Sequence, residues 1–204
     1  METIEFTSGD LTLEGLYTGA SSDRGVVVTH PHPLYGGDMV NPVVQTVADA
    51  YIQAGYNCLQ FNFRGVGRST GQFDNGRGEQ DDVIAAVRWL ADRGSVDVSL
   101  AGYSFGSWVN AHIAAEMAPV THQIMVSPPV AFIDFAEVKR IPTLRFVVTG
   151  GRDDIAPPGL VEPLLPGWNP AAEMDIIPDA DHFYGGCFDR LKELVSAHLE
   201  TPSK

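Results

Sequence analysis

The chain is poor in cysteine, in basic residues and in long apolar runs, and each shortage closes off a class of function. Cys58 and Cys187 are its two cysteines in 204 residues. They form no CxxC pattern, so a zinc ribbon or a dithiol redox motif is not indicated. Two thiols do not make a disulfide framework either, and a reducing compartment is the simpler setting. Lysine and arginine number 13 against 26 acids, for a net charge of −13 and a pI near 4.6. Such a surface repels phosphate backbones and anionic lipid, so neither nucleic acid nor a membrane is expected as a partner. The start, Met1-Glu2-Thr3-Ile4-Glu5, carries acid where a signal peptide needs base, and no stretch reaches the length of a membrane span. A cytoplasmic location is expected. Internal repeats and low-complexity tracts are absent as well.

What is present suits a globular protein. The chain is 44% hydrophobic and 19% charged, enough to form a core, and its length fits one domain over residues 1–204. Short β-type runs alternate with helical stretches. Strands are expected at Leu11–Tyr17, Gly25–Thr29, Asn57–Phe63, Val96–Ala101, Gln123–Ser127, Leu144–Val148 and Met174–Ile177. Helices are expected at Pro42–Ala54, Asp81–Asp92, Ser107–Glu116 and Phe188–Leu199, where apolar residues recur at helical spacing. The Pro/Gly-rich stretch Pro157–Pro170 reads as a long surface loop with room for a turn of helix. This alternation predicts an α/β fold, a mostly parallel sheet with helices on both faces. In such sheets chemistry collects just beyond the carboxyl ends of the strands.

The pattern G-x-S-x-G occurs there twice, at Gly67-Arg68-Ser69-Thr70-Gly71 and at Gly102-Tyr103-Ser104-Phe105-Gly106. A nucleophile elbow requires a strand before its serine and a helix after it. The second copy lies between Val96–Ala101 and Ser107–Glu116. The first runs into Gln72-Phe73-Asp74-Asn75-Gly76, a loop. Ser104 is therefore the candidate nucleophile, and Ser69 reads as a turn residue in a flexible loop near the site rim. The N–H of Phe105, at a helix N-terminus, is a candidate oxyanion donor.

A serine hydroxyl needs a base. Of six histidines, His112 lies within a helix, His122 in the connection after it, and His198 near the end of the last helix; these read as surface or packing residues. His182 sits in a loop between the last strand and the last helix and is the candidate base. Asp153 and Asp154 follow a strand together. Asp153 is assigned as the acid that orients the imidazole, with turn geometry deciding between the two. The order Ser104, Asp153, His182 is that of α/β-hydrolases. In Thr29-His30-Pro31-His32-Pro33, two prolines lack an N–H, which makes the amide of His32 the second oxyanion candidate. A metal pair of His30 and His32 is the weaker reading, since no further ligands stand at suitable spacing. Tyr35, Tyr103 and Phe183 are the candidate substrate-contacting residues. No cofactor or metal is expected.

His30-Pro31-His32-Pro33, Phe61 through Ser69, Phe73-Asp74 through Gly78-Glu79, Gly102 through Gly106 and Asp181-His182-Phe183 together resemble small bacterial α/β-hydrolases, near the dienelactone-hydrolase-like and serine-aminopeptidase-like groups. The resemblance spans about residues 24–199. It implies a minimal sheet core, a triad of Ser104, Asp153 and His182, and hydrolysis of small esters. Dienelactone hydrolases proper carry cysteine as nucleophile; this chain departs from them at Ser104. Larger α/β-hydrolases insert a helical lid where this chain has only Pro128–Pro142. An open site that accepts small acyl esters is therefore expected, with thioester or amide cleavage, or a catalytically silent binding module on the same fold, as the alternatives.

Overall fold

A computed structural model describes residues 1–113 and 118–200. Eight strands form one sheet: β1 (Glu2–Ser8), β2 (Leu11–Thr18), β3 (Arg24–Thr29), β4 (Asn57–Phe61), β5 (Asp97–Tyr103), β6 (Val120–Val126), β7 (Leu144–Gly150) and β8 (Glu173–Ile177). Their order across the sheet is β1-β2-β4-β3-β5-β6-β7-β8. The β1–β2 and β2–β4 pairs are antiparallel, and every later pair is parallel. β1 and β2 make a hairpin in which Ser8 pairs with Leu11 across Gly9-Asp10. Gly9 has a φ of 58°, the backbone such two-residue turns demand.

The central strands are buried on both faces because helices cover both. The Val26-Val27-Val28 run is the clearest case, with alternate side chains entering opposite cores. α1 (Pro42–Gln53) and α6 (Phe188–Glu200) close one face through Val43, Val47, Tyr51, Leu191 and Val195. α2 (Arg77–Ala91) and α3 (Phe105–Ile113) close the other through Val83, Val87, Leu90 and Val109. α1 begins where Asn41 accepts a hydrogen bond from the Val43 amide at 2.9 Å, with Pro42 at the first helical position. α2 begins where the buried carboxylate of Glu79 accepts from the amides of Asp74 and Gly76.

Three local expectations are corrected. The segment 157–170 is more than a surface loop with a turn of helix. It folds into α4 (Pro158–Val161), one 3₁₀ turn and α5 (Leu165–Trp168), and buries Val161, Leu165 and Trp168 in the core. His122 lies within β6, not in a connection, with its Nε2 3.0 Å from that of His198. Helix α3 starts two residues earlier than expected, directly after Ser104; its expected extension to Glu116 falls on residues 114–117, outside those described. No helix among the described residues is long and apolar enough to cross a membrane.

Candidate active site

The chain turns sharply between β5 and α3. Ser104 has a φ of 52°, in the left-handed region that L residues avoid. The strain persists because the turn is fixed on both sides: the Ser104 amide donates to Val126 O at 2.9 Å, and its carbonyl accepts from the Ser107 amide and hydroxyl. Strand and helix approach so closely that small residues are obligatory. A Cβ at Gly102 would lie 2.5 Å from the Ser107 backbone, and one at Gly106 would lie 2.6 Å from the Thr29 carbonyl oxygen.

This turn aims the Ser104 hydroxyl at the loop after β8. His182 Nε2 stands 3.0 Å from Ser104 Oγ. On the other side of the ring, Nδ1 lies 2.9 and 3.0 Å from the two carboxylate oxygens of Asp153. An ionised carboxylate only accepts, so Nδ1 carries the proton and Nε2 is left free to take one from the serine. Asp153 is buried while Asp154 is exposed, which separates the two neighbours. Burial pushes the Asp153 carboxyl up. The hydrogen bond and charge of His182, together with the Ala156 amide, outweigh that and hold it below the usual carboxylate range. Its Oδ1 accepts from the amides of Ile155 and Ala156 at 2.9 and 2.6 Å.

The His182 loop is tied down from beneath. Tyr103 donates its hydroxyl to the His182 carbonyl at 2.8 Å, and the buried Tyr184 hydroxyl lies 2.8 Å from Ser127 Oγ. Tyr103, expected to touch substrate, thus lines the cavity wall with its polar end already engaged. Tyr35 and Phe183 lie at the rim, 73% and 66% exposed.

His32 and Phe105 flank the serine, their rings 4.9 Å apart. Among the described residues neither backbone N–H has an acceptor, so both are free to donate. The turn that carries His32 is braced by His30, a fully buried residue whose pKa burial pulls down to about 4. In the neutral ring Nδ1–H donates to Pro31 O at 2.7 Å, and Nε2 accepts from the Phe63 amide at 3.1 Å. Both of its nitrogens are therefore engaged within the protein. Among the described residues no cluster of three or more His, Cys, Asp or Glu could hold a metal.

Over the serine opens a cavity of about 320 Å³. The sequence reading missed part of its wall: Phe132 and Ile133 from the segment after β6, Ile155 from the Asp153 loop, and Asn41 at the start of α1. One signal was available, a Val130–Ile133 apolar run in a segment placed just beyond a strand's carboxyl end. Residues 128–142 contain no helix, and nothing in them covers the site as a lid would.

The fold has counterparts. An alpha-beta serine hydrolase homologue from Coxiella burnetii superposes with a TM-score of 0.90 at 34% identity, covering 97% of each chain. A lidless α/β serine hydrolase from Xanthomonas campestris gives 0.87 at 30% identity, over 100% of this chain and 96% of that one. An uncharacterized protein of Rickettsia prowazekii is 34% identical over 213 residues, which is 98% of this chain and 90% of that protein. The family model described as X-Pro dipeptidyl-peptidase (S15 family) matches residues 18–140, more than half of the sequence. The chain thus belongs to the S15 family, among the small lidless α/β-hydrolases.

Proposed function

We propose that this hydrolase is a serine carboxylesterase that cleaves small acyl esters through an acyl-enzyme on Ser104. The observation that carries the reading is the hydrogen-bonded series Ser104–His182–Asp153 at a strained strand–helix turn. Ser104 Oγ attacks the ester carbonyl while its proton passes to His182 Nε2. The negative charge that develops on the carbonyl oxygen is met by the amides of His32 and Phe105, with the positive end of α3 behind them. Asp153 stabilises the imidazolium, which then protonates the departing alcohol. Water, activated by the same imidazole, releases the acid. With no lid over a cavity of about 320 Å³, roughly ten water molecules in size, short acyl chains fit best.

Labelling with a fluorophosphonate probe tests the serine chemistry: wild type reacts, and Ser104→Ala does not. Unlabelled wild type points instead to a silent binding module. A para-nitrophenyl ester series of increasing acyl length tests the size class. Turnover falls beyond short chains, and a preference for long ones overturns that part. The S15 match favours a second reading, amide-bond cleavage by the same residues.

A further inference from the structure

We infer that the cavity over Ser104 accepts an uncharged acyl group and rejects one that carries a free ammonium. The inference rests on the reading of Ser104 as nucleophile and adds the substrate's charge. It also bears on the family name, because an X-Pro dipeptide presents a protonated α-amino group two residues from the bond to be cut. An enzyme acting on such a substrate has to bury that cation close to its serine. A buried cation needs a carboxylate or several free carbonyl oxygens, and without them its desolvation is not repaid.

This cavity offers no carboxylate, and its wall is mostly apolar. Among the described residues that line it there is no aspartate and no glutamate; Asp153 stands behind His182, fully engaged. The wall is Phe105, Phe132, Ile133, Ile155 and Phe183, with Tyr35 at the mouth. Two of its side-chain polar atoms are already in use. The Asn41 side-chain oxygen caps α1, and the Tyr103 hydroxyl donates to His182 O. Several of the backbone carbonyls are taken as well. Pro31 O accepts from the His30 ring. His32 O accepts from the amides of Tyr35 and Gly37, Pro129 O from those of Phe132 and Ile133, and Ile155 O from that of Ala131.

The field in the cavity also has the wrong sign for a cation. α3 begins at Phe105, directly after the serine, and His32 and Phe105, whose amides have no acceptor among the described residues, both line the cavity. All three favour negative charge there. The arrangement that meets an oxyanion repels an ammonium a few ångströms away.

The test uses two substrates of one shape: para-nitrophenyl butanoate and the para-nitrophenyl ester of β-alanine, which replaces the terminal methyl by an ammonium that stays protonated at about pH 7.5. Each kcat/KM is divided by that ester's own hydroxide-catalysed rate. Wild type is expected to prefer the butanoate by about a hundredfold, and a ratio below tenfold overturns the inference. Alanyl-prolyl para-nitroanilide is expected to remain uncleaved; turnover comparable to that of the butanoate overturns it too. Ile133→Asp, with Phe132→Asp in parallel should the first not fold, supplies the missing carboxylate and is expected to move the ratio at least tenfold toward the β-alanine ester. An unmoved ratio in a folded variant overturns the assignment to charge. Hydrolysis of neither ester, with no fluorophosphonate labelling, sinks the esterase reading itself and takes this inference with it.

Discussion

The two G-x-S-x-G segments share a sequence pattern but not a structure, and their contrast shows what makes a serine available for chemistry. Both serines are buried, Ser69 at 6% and Ser104 at 7% exposure, so accessibility does not separate them. The hydrogen bonds do. The Ser69 hydroxyl donates to Asn62 O at 2.7 Å and accepts from the Glu14 amide at 3.0 Å, so both of its capacities are consumed by backbone. The Ser104 hydroxyl faces an imidazole nitrogen able to accept its proton. The loop of Ser69 is also far from flexible. The Glu14 carboxylate binds the Arg68 amide and guanidinium and the Asn62 side chain, locking the loop to β2. The first copy is a structural clasp, and the second sits where strand, helix and His182 converge.

The largest test of that contrast is Ser104→Ala. It is expected to lower ester kcat by up to about 10⁶-fold if the three residues act as a unit, with the folded state retained, read by steady-state kinetics beside a denaturation curve. A residual rate near that of wild type shows that the wrong copy has been assigned.

Next in size is Asp153→Asn, expected to cost about 10⁴-fold in kcat. The amides of Ile155 and Ala156 both donate to Oδ1, so they hold the asparagine oxygen in place and turn its NH₂ toward His182 Nδ1. The imidazole must then accept at Nδ1 and carry its proton on Nε2, where Ser104 needs an acceptor. Asp154→Asn, at an exposed neighbour, is expected to leave kcat within about twofold, since surface changes away from such partners are small. Comparable losses in the two variants remove the distinction.

How much of this could be read from the sequence follows from how local each signal is. The Val26–Val28 run and the helical spacing of Val43, Val47 and Tyr51 mark their elements because each carries its own period. Ser104 is marked by its immediate flanks. The choice between Asp153 and Asp154 is not local: it depends on a turn packed against the His182 loop, where Arg152 N donates to Ala180 O. β1 escaped notice although Gly9-Asp10 is a hairpin turn signal, because only Ile4 and Phe6 carry its apolar alternation. The burial of segment 157–170 is hard to read because its prolines suggest a loop. Those prolines stand at the first positions of short helices, and the spacing of Val161, Leu165 and Trp168 is that of one helical face. The cavity wall at Phe132 and Ile133 comes from an irregular segment with no period at all.

His30 joins the two regions and gives a smaller, pH-dependent effect. Its ring links the turn that carries His32 to the Phe63 amide, at the start of the chain that leads to Ser69. The native state keeps it neutral down to about pH 4, whereas the unfolded chain protonates it below about 6.5. Unfolding therefore takes up a proton between those values, and stability present above pH 6.5 is lost as the pH falls toward 4. This residue's share is about 3 kcal/mol. Urea titrations over that range are expected to show a shallower decline for His30→Gln than for wild type. Parallel curves show that His30 is not the group being charged. His122, pulled down to about 4 by burial and by His198 and Arg145, adds a slope of its own that this variant leaves in place.

The smallest effect is the one that probes the decoy. Ser69→Ala removes one oxygen and leaves the Glu14 amide and the Asn62 carbonyl without the partner they shared, both of them buried. The expected cost is about 1–3 kcal/mol of stability, read as a lower urea midpoint with an unchanged slope. No atom of the loop reaches Ser104 or His182 through a hydrogen bond, so ester kcat and KM should stay within about twofold of wild type at temperatures where the variant is folded. Ser104→Ala should show the opposite, lost turnover with little change in midpoint. Crossed outcomes, with Ser69→Ala silencing the enzyme while its midpoint holds, require a hydroxyl engaged with two backbone groups to leave both and find a base, and they break the contrast between the segments.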